Sequence, residues 1–423
     1  MPTKSARPSF FYGWLVVGVG FYSNLINTGT GFYMWNVFQE PMLAELGWTR
    51  TQYSIGLGLN MFTNSLVGLL AGYLVTRFGS RPLMILGALL NGLTFLFLSQ
   101  MQSVWEFYLG LGVCLALAGS FLSGVVVNSA VSNWFVLKRG RALGITTMGI
   151  SVSGVILPLL ARSFLRAYGD WRAAFAVIAL VVWATLIPLV LVFLKGRPED
   201  LGLLPDHAEP WLPPPAALAE DERHWSGWEA LRTPAFWKIA LPYAAAITGL
   251  SAILSQLVPR FTDAGFSPDQ ATLILVGSSV MGAAGKYYWG RLCDRYRVER
   301  IAFTLFLLQG GSILVLLLWK SLAGVLIFTG VYGFSMGGVL STFPIITAAV
   351  FGRRSFGIVS GLMSPLLALR LAGTVILGQS HDRYGSYDRA YLLFMIAYFL
   401  AAGVIVSLRK PKASAAWGVR QIW

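Results

Sequence analysis

The stretch GYLVTRFGSR at residues 72–81 has a counterpart 218 residues further along, GRLCDRYRVER at residues 290–300. Each begins with a glycine closing an apolar run, carries Arg at its sixth position and ends in basic residues ahead of the next apolar run. A second signature repeats at nearly the same offset: YGDWRAAF from Tyr168 and YGSYDRAY from Tyr384 lie 216 residues apart. A looser third pair, KRGRALGI at 138–145 and GRRSFGIV at 352–359, places basic residues at the start of a helix rich in small residues. Two copies of one multi-helix unit, in the same order, make up the chain.

Composition says what surrounds those helices. Hydrophobic residues are 56% of the 423 and charged residues 12%, against roughly 25% charged in soluble proteins, so lipid is the solvent. The apolar runs are each about 20 residues or longer, enough to cross about 30 Å of hydrocarbon as a helix. They predict spans at 12–38, 52–76, 82–101, 105–132, 142–166, 172–194, 235–260, 269–291, 301–319, 322–349, 357–381 and 388–408. The ten-residue alternation of an outer-membrane barrel is absent. The first span follows Lys4 and Arg7 but is too long for a signal peptide, carries Asn24 and Asn27 and lacks a small-residue cleavage site, so it is expected to be retained. The reading is an all-α membrane protein of twelve transmembrane helices in two six-helix pseudo-repeats. Residues 1–194 form the first bundle, 195–233 a linker holding eight of the 18 acidic residues and the run Pro213–Pro215, and 234–423 the second bundle with a short tail.

The net charge of +14 is explained by topology. Of 32 Lys and Arg, twenty-two fall on the N-terminal side of the spans, eight on the other side and two within spans. That is the positive-inside pattern, which puts both termini in the cytoplasm and the chain in the plasma (inner) membrane. The clusters Lys138–Arg139–Arg141, Arg353–Arg354 and Arg409–Lys410–Lys412 sit at span ends, where anionic lipid headgroups are the expected partners and nucleic acid is not. Cys114 and Cys293 have no metal-type spacing, so neither a disulfide framework nor a metal or other cofactor is expected.

An ionisable side chain inside the bilayer costs about 2.5–3.5 kcal/mol even on lenient scales, so the two within spans need a reason. Arg370 lies near the middle of span 11, and Lys286 in span 8, four residues before Gly290. All 18 Asp and Glu fall in loops or at span ends, leaving no embedded carboxylate to neutralise either cation. Such a pair favours an anion: Arg370 can grip a carboxylate as a fork, Lys286 as a point charge. The plainer alternatives are a Lys286 that snorkels to the headgroups and an Arg370 that bonds helix-end carbonyls.

The pattern at Gly72–Arg81 resembles the signature loop of the major facilitator superfamily, whose fold is six plus six helices. It departs at Thr76, where the family usually has Asp; the second copy keeps Asp294 and Arg295 but has Arg297 where Gly is usual. The resemblance implies a gating role for Gly72, Arg77, Arg81, Gly290, Asp294 and Arg295. A finer resemblance, to the monocarboxylate transporters and the oxalate:formate antiporters, rests on YGW at 12–14, NWF at 133–135, KRGRALGI at 138–145, MGISVSG at 148–154 and PAFWK at 234–238. Those relatives carry functional cations on helices 8 and 11, which Lys286 and Arg370 match with the residue types exchanged; the acid usual one turn before the helix 8 cation is here Gly282.

Polar residues recur at helical spacing on spans 1, 2, 4, 7 and 10, on stripes that face either a cavity or a neighbouring helix. In the superfamily helices 1, 4, 7 and 10 line the cavity, which selects Asn24, Asn27, Ser251 and Tyr332 as substrate-binding candidates. The expected activity is alternating-access transport of a small mono- or dicarboxylate by a monomer, by anion exchange or with protons, His381 being one group that could carry them. The alternatives are an exporter of drugs or other metabolites, which for cationic drugs would want a cavity acid, and a receptor that binds without translocating. An enzyme is not expected: no phosphate-binding glycine loop and no nucleophile paired with a base is present, and His207 and His224 lie in the linker.

Overall fold

A computed structural model describes residues 11–207, 224–319 and 321–409. Lys4, Arg7, Pro213–Pro215, Lys410 and Lys412 lie outside them. Twelve helical spans follow one another: α1 (13–46), α2 (Arg50–Phe78), α3 (Ser80–Ser99), α4 (Val104–Trp134), α5 (Arg139–Tyr168), α6 (Trp171–Phe193), α7 (Pro234–Ser255), α8 (Pro268–Cys293), α9 (Val298–Leu318), α10 (Leu322–Phe351), α11 (Phe356–Tyr384) and α12 (Asp388–Val406). Ten are long and apolar enough to cross a membrane. Of the other two, α8 carries Ser278, Ser279 and Lys286, and α1 is interrupted by a π-helical turn, Gly29–Tyr33.

The turn in α1 is braced by the tryptophan that follows it. Trp35 Nε1 donates to the Thr30 carbonyl at 2.8 Å, Tyr53 Oη donates to the Trp35 carbonyl at 2.6 Å, and Asn91 Nδ2 donates to Thr30 Oγ1 at 3.2 Å. Beyond the turn α1 runs to Leu46, eight residues past the expected end, because Glu45 is held there: Trp171 Nε1 donates to it at 2.6 Å and Arg172 pairs with it. The YGDWR signature is thus a brace at that end of the bundle. Its second copy braces likewise, through Asp388 and Arg260 at 2.7 Å.

Helix ends obey local chemistry. Thr49, Ser103 and Ser267 accept from the backbone three residues on, with Gln52, Glu106 and Gln270 returning the bond, so orphan N–H groups are satisfied in pairs. Gly47, Gly169 and Gly385 stop α1, α5 and α11 with φ of 64–67°, a conformation that costs glycine nothing.

The start of α1 meets the end of α6 (Tyr12 Oη to the Phe193 carbonyl, 3.1 Å), and the start of α7 meets the end of α12 (Lys238 Nζ to the Ser407 carbonyl, 3.0 Å). Both halves therefore begin and end on one face, called here the basic face. The halves meet mainly through α2 against α11 and α5 against α8. Both crossings are made of glycines: a Cβ on Gly72 would lie 2.6 Å from Gly361 Cα, and one on Gly290 would lie 2.5 Å from the Gly140 carbonyl oxygen. Backbone touches backbone there, as small residues allow in lipid-embedded helices. From the basic face, hydrogen bonds between the halves continue inward to Lys286–Ser151 and Arg370–Met61.

Filling one crossing tests whether it closes the basic face. A Cβ at 361 would meet only main chain, Gly72 Cα at 2.8 Å and the Gly68 oxygen at 3.1 Å. Gly361→Val is expected to cost the closed form about 1–3 kcal/mol, moving the closed-to-open balance about five- to 150-fold. A cysteine replacing the buried Ser129, in a chain lacking Cys114 and Cys293, should then react faster with a hydrophilic maleimide; Gly18→Val, which meets nothing within 4 Å, should leave the rate unchanged.

Candidate functional site

Lys286 is 3% exposed, and its Nζ donates to Ser151 Oγ at 2.6 Å, across the interface on α5. The direction of that bond decides between the two readings of this lysine. Its main chain lies opposite Gly144, whose Cβ would fall 2.7 Å from the Lys286 carbonyl oxygen. Ser151 is seven residues further along α5, roughly 10 Å deeper at 1.5 Å per residue, so the ammonium points into the bundle and does not snorkel to the basic face. Helical side chains lean toward their own N-terminus, and α8 runs toward the basic face, so the local geometry agrees.

Arg370 begins the regular part of α11 after a 3₁₀ stretch, Ser364–Leu369, in which Pro365 removes a backbone donor. Its Nη2 donates to the Met61 carbonyl of α2 at 3.4 Å, a long contact, and its Nε is buried with no hydrogen-bond partner. Among the described residues neither cation has an ion-pair partner. Both belong to the second half and both reach the first.

The other candidates divide. Asn27 is half-buried and faces α4 at Gly119, beside Asn64 of α2; Asn64 Nδ2 donates to the Ala116 carbonyl at 3.3 Å. Asn24 is buried and its Nδ2 donates to the Thr146 carbonyl at 3.0 Å, a bond within the first half between α1 and α5. Ser251 is half-buried on α7. Tyr332 is not brought to the interface: it is fully buried within the second half, stacked on Phe328 at 4.9 Å, with its hydroxyl 3.3 Å from that of Tyr398, which in turn donates to the Ala246 carbonyl at 3.0 Å. His381, near the end of α11 away from the basic face, lies 3.3 Å from Asp263.

At the basic face the two signature loops behave differently. Thr76 Oγ1 donates to Gly72 of its own helix at 2.9 Å and offers no charge to the other half. Asp294, its counterpart, accepts from the backbone of Gly140 at 2.6 Å and Arg141 at 3.1 Å, so a second-half carboxylate caps the first turn of α5. Asp206 completes the cap by accepting from Val136 and Leu137 at 2.6 Å and Lys138 at 3.1 Å. It does so from the only non-glycine positive φ among the described residues, 56°. Arg77 and Arg295 are exposed, the former with its guanidinium 5.3 Å from the Phe78 ring; Arg81 donates to the Leu191 carbonyl. Arg139 and Arg353, expected at headgroups, are 5% exposed: Arg139 bonds the Phe135 carbonyl at 3.0 Å, and Arg353 bonds Glu199 at 2.6 Å and the Asn133 carbonyl at 3.1 Å.

Sequence reasoning missed Ser151 and Asp206. Ser151 stands inside the quoted MGISVSG motif, and only its partner across the interface distinguishes it from Ser153. Asp206 follows Pro205 as many turn residues do, and its reach to α5 has no sequence signal.

Residues 20–369 match the Major Facilitator Superfamily, and the chain belongs to that family of membrane transporters. Among its relatives, monocarboxylate transporter 13 of Bos taurus is 24% identical over 96% of this chain and 92% of its own. The oxalate:formate antiporter of Oxalobacter formigenes is 25% identical over 76% and 73%, and the agnestins efflux protein AgnL12 of Paecilomyces divaricatus 23% identical over 93% and 84%. The crystal structure of the human organic anion transporter MFSD10 superposes with a TM-score of 0.67, at 17% identity, over 94% of this chain and all of that one.

The Asp294 cap carries a pH signature. Burial pushes its carboxyl up to about 6, against the opposing pull of the Arg141 and Gly140 N–H groups and the Arg141 charge, with nearby Asp206 adding to the rise. Parting of the halves returns it to water and to about 3.9. The closed form thus holds more protons between pH 4 and 6, so its population should fall as pH rises through that window and level off above it. Spin labels at the exposed Phe78 and Tyr296, one on each half, would report the distance; Asp294→Asn should erase the step, and a step of opposite sign would refute the assignment.

Proposed function

We propose that this transporter moves a small organic anion, a mono- or dicarboxylate, by alternating access, with Lys286 and Arg370 as its two binding cations. One observation carries the proposal: a buried lysine and a half-buried arginine at the interface between the halves have only neutral partners, Ser151 Oγ and the Met61 carbonyl, and one guanidinium nitrogen has none. A buried charge without a counter-charge is costly, and a carboxylate ligand removes that cost. The substrates in the names of two relatives, monocarboxylates and oxalate with formate, are of this chemistry. Asn27 and Ser251 remain pocket candidates, whereas the placement of Asn24 and Tyr332 fits a packing role. We place the basic face in the cytoplasm of a plasma (inner) membrane, on the distribution of Lys and Arg. With no embedded acid, exchange of anions, or a proton carried with the substrate, are the two modes of coupling. Export is a second reading, favoured by the agnestins efflux relative; it uses the same cations in the opposite direction.

The test is thermal unfolding of the purified chain against monocarboxylates, dicarboxylates, aromatic acids, sugars and organic cations. One class of acid should raise Tm, since a ligand at 100 times its Kd contributes about 2.7 kcal/mol to the form it binds. Lys286→Gln and Arg370→Gln should each weaken that ligand about ten- to 150-fold, the worth of one charged hydrogen bond. Stabilisation by sugars or cations, or a shift indifferent to both substitutions, would sink the proposal; counterflow in vesicles of known orientation then separates uptake from export.

A further inference from the structure

The α5 helix carries five Ser and Thr residues, Thr146, Thr147, Ser151, Ser153 and Ser163. In an apolar setting a helical Ser or Thr ordinarily returns its O–H to a carbonyl three or four residues back, because no water is at hand to take it. Four of the five do so: Thr146 donates to Ala142 at 2.8 Å, Thr147 to Leu143 at 3.0 Å, Ser153 to Ile150 at 2.8 Å and Ser163 to Leu160 at 2.8 Å. Ser151 does not. Its Oγ accepts from Lys286 Nζ at 2.6 Å, and its own O–H donates to no described residue.

Position explains the difference. Gly140, Gly144 and Ser151 recur at helical spacing on one face of α5. The first two lie against α8: Gly140 meets Gly290, and a Cβ on Gly144 would fall 2.7 Å from the Lys286 carbonyl oxygen. Ser151 continues that face inward as a half-buried side chain. A lysine near the end of a span ordinarily turns its amine toward the headgroups, and the bond to Ser151 turns the buried Lys286 the other way. An ammonium has three donors, of which Ser151 takes one. The pair therefore holds two N–H donors and one O–H donor side by side around a full positive charge. A carboxylate has two oxygens, and a hydrogen bond to each is stronger for the charge it carries.

We propose that Ser151 is a substrate-binding residue as well as the holder of Lys286: Nζ takes one oxygen of the ligand's carboxylate, and the Ser151 O–H donates to the other. This rests on the carboxylate reading of the two cations and adds to it a ligand from the first half. Ser151 belongs to α5 and Lys286 to α8, so this end of the site is built by both halves.

The full chain in an uncharged detergent is titrated with acetate, oxalate and succinate, at ionic strength matched with chloride, and Tm gives the midpoint concentration for each acid that stabilises. Ser151→Ala is expected to raise that midpoint about tenfold, and Ser151→Thr, which restores a hydroxyl, to keep it within about threefold. Ser151→Cys keeps the volume with a weaker donor and takes the place of the alanine variant if that one does not fold. Ser153→Ala, whose hydroxyl is spent on the Ile150 carbonyl, should leave the midpoint unchanged. A double-mutant cycle separates binding from a merely structural role: in a Lys286→Gln chain the further change Ser151→Ala should cost about threefold or less, because the two groups share one ligand carboxylate. A tenfold loss that persists in the Lys286→Gln chain overturns this inference and leaves the cation site standing. So does a Ser151→Ala midpoint equal to that of Ser153→Ala while Lys286→Gln and Arg370→Gln weaken the acid. No rise with any of the three acids, or midpoints indifferent to Lys286→Gln and Arg370→Gln, overturns the cation site and this inference with it.

Discussion

Backbone contact at two glycine crossings, Gly72 with Gly361 and Gly140 with Gly290, is what the arrangement of the halves depends on. Within lipid there is no hydrophobic gain from bringing two apolar helices together, because lipid tails are as apolar as leucine. What remains is close dispersion contact and hydrogen bonding, and both need the helix axes to approach nearer than ordinary side chains permit. Glycine supplies that approach, and everything polar between the halves is arranged around it. Asp294 reaches the α5 N–H groups because Gly290 lets α8 lie against α5, and Lys286 reaches Ser151 one turn further in.

The two crossings are related by the sequence repeat but not by their chemistry. On the α2–α11 side the loop position is Thr76, whose hydroxyl is satisfied by its own helix, so that crossing is held by packing. On the α5–α8 side two carboxylates, Asp206 and Asp294, take the peptide N–H groups of 136–138 and 140–141. Charge-assisted bonds to a helix N-terminus are stronger than neutral ones, and those of Asp294 join the two halves. The repeat thus preserves a fold while placing carboxylate-to-backbone hydrogen bonds at one of its two equivalent places.

This division also explains what was legible in the sequence. The spans were readable to within a few residues at nearly every end, since hydrocarbon imposes its own length and the caps at Thr49, Ser103 and Ser267 are local. The overrun of α1 to Leu46 was not, because Glu45 is fixed by Trp171 and Arg172 from 126 and 127 residues away. The two embedded cations stood out by cost alone. Tyr332 did not behave as its helix suggested: a stripe shows which residues share a face, but α10 is wide enough that one polar position faces Tyr398 while others face elsewhere. Asn24 illustrates the same ambiguity, its amide being used up on the Thr146 carbonyl.

Both cations are carried by the second half, and the first half answers them with a hydroxyl and a carbonyl, which are acceptors too weak to neutralise a charge. If either partner were a carboxylate, the halves would be joined by an ion pair that every parting would have to break. On the proposed function, neutral acceptors at the interface leave the two cations available to a stronger anion. On the proposed reading, the missing acid is therefore not a gap in the site but the condition that lets the halves separate and a carboxylate ligand bind.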